Sequence, residues 1–171
     1  MATEHDIPHR LAVQKAMAEL LAAACGCTVF RGKIQDDKDD PSKAISILES
    51  GDMEDAPVTA GRNGYEAPTK LAACPLVLKG WTEDDPKNPT DAAHYLRADI
   101  LKALATVQYR GDPEDFSPTS AVYNFGGLIT GLDVEACVVR PPDTEVKASR
   151  AYCFARIVVS MVEDPNNPYL Y

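Results

Sequence analysis

Residues 151–162 read AYCFARIVVSMV, a run without Gly or Pro that carries one charge. It alternates over Tyr152–Arg156 and then turns uniformly apolar, the pattern of an interior strand covered on both faces. An interior strand needs partners on both sides, so the rest of the chain must supply a sheet. Leu132–Val139 is β-rich as well and faces the run across Arg140-Pro141-Pro142-Asp143-Thr144, a turn-forming stretch. Thr28–Arg31 and Ala44–Glu49 hold the branched residues that strands prefer. Leu71–Trp81 reads as another strand. Pro75 inside it cannot donate to a ladder and is expected at an edge or a bulge.

Two segments have helical spacing instead. Leu11, Val13, Met17, Leu20, Leu21 and Ala24 recur at three- and four-residue steps, with Asp6 as a candidate cap, Pro8 in the first turn and Gly26 as the stop. This predicts a helix over 7–25. Ala93, Leu96, Ile100, Leu101, Leu104 and Val107 do the same after Asn88 or Thr90, predicting a helix over 90–107. The order of elements implies an α+β fold, a mixed or mainly antiparallel sheet of about five strands with two helices packed on one face. One domain over 1–171 is expected, with 51–68 and 108–131 as loop insertions and 163–171 as an extended arm. Tyr123 and Phe125 hint at a short strand within the second insertion.

Charge narrows the function. The chain of 171 residues carries a formal net charge of −9, a field that repels phosphate backbones and anionic membrane surfaces. No apolar run reaches the ~18 residues of a membrane span, and the N-terminus lacks the basic and apolar regions of a secretory signal. The five cysteines have no disulfide-scaffold spacing and suit a reducing compartment.

Candidate chemistry is sparse. The turn GWTEDDPKNPTDAAHYL gathers Trp81, Glu83, Asp84, Asp85, Asp91 and His94, but in no calcium-loop or zinc spacing. A solvated turn leading into a helix, with acids near its positive end, explains these residues better. Asp36, Asp37, Asp39 and Asp40 form a projecting charged loop without the Gly and terminal Glu of a calcium site. Cys25-Gly26-Cys27 is not a C-x-x-C motif and reads as helix-end packing. No nucleophile elbow or phosphate loop occurs, and His5, His9 and His94 lie near helix starts. No catalytic residue, metal or cofactor is expected. Trp81, a large aromatic at a strand end, either covers the core edge or anchors a protein interface.

The order of parts resembles the tail terminator proteins of long-tailed bacteriophages, including the lambda-like minor tail type. An N-terminal helix leads to Val29-Phe30-Arg31-Gly32, an acidic loop closed by Pro41 and the strand Ala44–Leu48. A strand ending in Gly80-Trp81, a Pro- and Asp-bearing turn, a helix, and a strand running into Glu163 follow. The resemblance implies a structural virion protein without catalytic residues, assembled in the host cytoplasm. It would form a ring, a hexamer of itself, at the head-proximal end of the tail tube, stop tube growth and join the tail to a head-completion or connector protein. DNA would pass through an acidic lumen without being held. Asp36, Asp37, Asp39, Asp40, Trp81, Tyr169 and Tyr171 are the candidate contacts with other copies or partners. The alternatives are another neck protein of similar fold, or a small-ligand or metal-binding enzyme using the Trp81–His94 turn.

Overall fold

The computed structural model describes residues 7–34, 40–50, 70–83, 85, 87–108, 124–142, 150–163 and 169. Over these the chain runs α1 (His9–Cys25), β1 (Thr28–Arg31), β2 (Ala44–Glu49), β3 (Lys70–Trp81), α2 (Asp91–Val107), α3 (Asn124–Gly127), β4 (Gly131–Arg140) and β5 (Tyr152–Glu163). The strands form one five-stranded sheet in the order β1-β2-β3-β5-β4. Only β1–β2 is parallel; the other three pairings are antiparallel. The expected α+β architecture, a mixed sheet with both long helices on one face, is what the chain adopts.

The helices take their places from their apolar stripes. Val13, Met17 and Leu21 of α1 and Leu96, Ile100 and Leu104 of α2 are buried against one face of the sheet. There α1 lies over β1 and β2, and α2 over β3, β5 and β4. The sheet meets them with Ile45 and Ile47, with Cys74, Leu76 and Leu78, and with Cys153, Ala155, Ile157, Val159 and Met161. Because side chains alternate along a strand, the residues between these point the other way. At Gly80 the approach is tight: a Cβ there would stand 2.8 Å from Leu96 Cδ2 and 2.9 Å from Cys153 Sγ.

Several local expectations change on contact with the fold. The α1 N-cap is Pro8, whose carbonyl accepts from Ala12 N–H at 3.0 Å, while Asp6 lies outside the described residues. Thr90 caps α2 without a side-chain hydrogen bond. Pro75 sits in an interior strand, yet its position still obeys the missing donor. Its carbonyl accepts from Ser50 N–H at 3.0 Å just past the last β2 pair, Glu49–Leu76. In an antiparallel ladder a residue's nitrogen and carbonyl share a side, so the proline nitrogen faces the place where β2 has already ended.

The region around Phe125 is not a strand. Backbone φ is positive at all four residues of α3: 48° at Asn124, 51° at Phe125, 69° at Gly126 and 94° at Gly127. This is a left-handed turn. Glycines and Asn tolerate that conformation, whereas Phe125 adopts it at a cost of ~1–2 kcal/mol, offset by burial of its ring in the core. Tyr123 and the 51–68 segment lie outside the described residues.

β5 is also covered differently from the expectation. It alternates buried and half-buried residues from Tyr152 through Met161, so only its helix-facing side is sealed. Val158 and Ser160, in the half that reads as uniformly apolar, are half-buried on the opposite face.

Candidate functional site

That opposite face is closed at one end and open at the other. At the β1–β2–β3 end, Phe30 and Trp81 stack with ring centroids 6.1 Å apart and planes 9° from parallel. Trp81 is 1% exposed, and Ala44 and Ser46 beside it are fully buried. Lys33 adds its ammonium 4.8 Å above the Phe30 ring and pairs with the Asp40 carboxylate. Lys79 Nζ donates to the Ile34 carbonyl at 3.3 Å, and Arg150 Nη1 to that of Pro41 at 2.9 Å. These bonds tie the described ends of the β1–β2 connection, Ile34 and Pro41, to Lys79 of β3 and to Arg150 just before β5. Of the two roles expected for Trp81, its burial is that of a residue covering the core edge.

At the β5–β4 end the described residues leave the face bare. Ala136, Val138, Arg140, Tyr152, Phe154 and Arg156 line a concavity of about 450 Å³. Cross-strand pairing sets them side by side, Val138 opposite Phe154 and Arg140 opposite Tyr152. Val138 is 39% exposed and Val162, further along β5, 46%. The cations are steered by neighbours: Arg156 Nε lies 3.1 Å from Glu135, and Lys79 Nζ 5.1 Å from the Tyr152 ring centroid. Apolar walls, two aromatic rings and guanidinium groups suit a protein surface that offers carboxylates and apolar side chains.

This surface exists because of a bulge. Val134 pairs with Ile157 and Ala136 with Arg156, leaving Glu135 as the extra residue. A bulge changes which parity of residues faces each side. Leu132 and Val134 face the helices before it, and Cys137 and Val139 after it, so Ala136, Val138 and Arg140 point outward. On the helix side, Arg97 Nε of α2 donates to the Cys137 carbonyl at 2.9 Å and fixes the strand.

The acidic turn is a turn. Asp85 accepts from Lys87 N–H at 2.8 Å and from the Asn88 side chain at 3.4 Å. The Lys87 bond is the main cause holding the Asp85 carboxyl below its usual range. Glu83, Asp91 and His94 are exposed, and Asp84 lies outside the described residues. Among the described residues no three His, Cys, Asp or Glu side chains come together as a metal set.

The remaining candidate contacts are scattered. Asp36, Asp37, Asp39 and Tyr171 lie outside the described residues. Tyr169 makes an isolated antiparallel bridge with Pro8. Close by, Glu163 accepts from Arg10 Nε at 2.8 Å and Nη2 at 3.1 Å, so the last strand is held to the start of α1. Sequence reasoning missed Val138, Arg140, Tyr152, Phe154 and Arg156. The alternation of Tyr152, Phe154 and Arg156 with Cys153, Ala155 and Ile157 was the available signal.

No family model matches the chain, and no curated protein does. Among solved structures it is similar to the sheath/tube terminator of PVC, an extracellular contractile injection system, determined by cryo-EM in the extended state. The identity is 15% and the TM-score 0.48, over 88% of this chain and 55% of that one. The chain thus spans about half the length of the terminator it matches.

Proposed function

We propose that this chain is a structural, ring-forming subunit of the tail-terminator kind, a single domain that ends the growth of a tail tube in a phage or phage-tail-like particle. The observation that carries this reading is the β5–β4 face with its concavity, which the described residues leave uncovered. An apolar sheet face beside an edge strand is a liability unless something covers it. Repeating one heterologous contact, this face against a different patch of the next copy, covers it in every subunit and closes a ring. The order of elements, which resembles that of the bacteriophage tail terminators, supports the same reading.

In this reading the ring is a hexamer of the kind that family forms, with the tube subunit on one side and a head-completion or connector protein on the other. Asp36, Asp37, Asp39 and the segment ending in Tyr171 supply further contacts. A net charge of −9 per copy gives an acidic lumen past which DNA moves without being held. The test combines native mass spectrometry with electron microscopy of the tube protein polymerising alone or with this chain. Rings of the wild type and shortened, capped tubes are expected, both lost in Val138→Glu. A chain that stays monomeric at high micromolar concentration and leaves tube length unchanged overturns the reading. If its melting temperature then rises with a divalent metal or a metabolite, the ligand-binding alternative replaces it.

A further inference from the structure

The assembly reading leaves the junction of α1 and β1 without a role, and the chemistry gathered there is specific. The helix ends at Cys25. Gly26 turns the chain in the left-handed conformation (φ 60°, ψ 40°), its N–H bonded to the Ala22 carbonyl at 3.0 Å, and Cys27 follows directly before β1. The two thiols hydrogen-bond to each other. Cys25 is 4% exposed, whereas Cys27 is half-buried and opens onto a concavity of about 470 Å³ with Thr28, Ser42 and Lys43. Lys43 Nζ donates to the Cys25 carbonyl at 2.7 Å and lies 3.6 Å from Asp99. An accessible sulfur and a fixed ammonium therefore line one concavity, with a buried sulfur a single residue away.

We infer that Cys25 and Cys27 are a reversible redox pair, Cys27 meeting a two-electron oxidant such as a hydroperoxide and Cys25 resolving the product as a disulfide. Reactivity follows thiolate character and access. The Cys25 thiol, donating to the Cys27 sulfur, favours the thiolate at Cys27, and Lys43 adds to this, against burial and Asp99. The same hydrogen bond, with burial, pushes the Cys25 thiol up, so it waits in the protonated form. The Cys27 thiolate attacks the peroxide oxygen, the O–O bond breaks, and the departing oxygen leaves as water after taking a proton. Cys25 then attacks the sulfenic sulfur, its own proton leaves with the hydroxyl as a second water, and the S–S bond forms. Two thiols lose two electrons and two protons; the peroxide gains them. A bridge across a single residue closes a small, strained ring, and strained disulfides are the readily reduced ones. The other thiols differ: Cys74 and Cys153 are buried, and burial pushes Cys137 up.

The inference is independent of the assembly reading and is tested on the reduced full chain with stoichiometric hydrogen peroxide. An intact mass lower by about 2 Da, restored by dithiothreitol, is expected from one disulfide, and peptide mapping places it between Cys25 and Cys27. Cys27→Ser abolishes the bridge. In Cys25→Ser, residue 27 accumulates as sulfenic acid trapped by dimedone, or as sulfinic acid. Oxidation of wild-type Cys137 ahead of Cys27 overturns the inference. So does overoxidation of wild-type Cys27 without a disulfide, an outcome that needs no variant to fold.

Discussion

Gly80 and Cys153 show how much of the stability depends on single contacts between α2 and the sheet. Placing a methyl group at Gly80 sets it 2.8 Å from Leu96 Cδ2 and 2.9 Å from Cys153 Sγ, and both neighbours are fully buried. Gly80→Ala is expected to lose about 1–3 kcal/mol by overpacking, read from urea unfolding. Combining it with Leu96→Ala should lose less than the sum of the two changes, because the second removes the obstacle to the first. Cys153 makes a second expectation. Burial first, then the neighbouring Cys137, pushes its thiol from 9.0 up to about 12. Above pH 9 the unfolded chain releases that proton while the folded chain keeps it. Stability therefore falls between pH 9 and about 12, by up to about 1.4 kcal/mol per pH unit from this group. Cys137 and Cys25, raised too, add to the slope. In Cys153→Ala the alkaline slope of stability is shallower than in the wild type, whatever the change in absolute stability.

The strands and helices were legible where one periodicity ran without interruption. β2 lies over Ala44–Glu49 as read, α2 starts at Asp91, and α1 ends at Cys25, where Gly26 predicts it. What local pattern withheld was the identity of the neighbours. Whether β5 is sealed on one face or two depends on where the helices dock, which Val158 and Val159 cannot express by being apolar. Phe125 looks β-prone in isolation, but Gly126 and Gly127 beside it let the backbone turn left-handed and bring the ring inward. The outward face of β4 was illegible for another reason: the bulge at Glu135 shifts the alternation halfway along, so a period-two reading of 131–140 fails on one side of it. Because the flanking pairs, Val134–Ile157 and Ala136–Arg156, are already consecutive on β5, deleting Glu135 restores a regular ladder without moving any other side chain to the wrong face. The deletion variant is expected to keep its circular dichroism spectrum and to differ in unfolding free energy by less than ~1.5 kcal/mol. A scrambled or unfolded spectrum would contradict this register.

Taken as a body, the molecule divides its surface by charge and covering. The helix side is finished: α1 and α2 complete one core with the sheet. The β1 end of the opposite side is closed by Phe30, Trp81, Lys33 and Asp40, and among the described residues the β5–β4 end has no such cover. With a net charge of −9, electrophoretic mobility of duplex DNA at 50 mM salt should be unchanged by micromolar protein, since few local cations oppose the general repulsion. Trp81 apart, the candidate contacts named from sequence were charged or aromatic residues expected in loops or the terminal arm, and most of the candidates lie outside the described residues. The surface that the fold does define is built on two regular strands, whose outward side chains look like ordinary alternation until the helices are placed. The kink at Glu135 has one more effect. An incoming chain can hydrogen-bond to β4 on one side of it or the other, never along the whole strand, and it meets a twisted, carboxylate-bearing rim. Stacking of copies backbone to backbone along β4 into an amyloid-like fibre is thereby disfavoured.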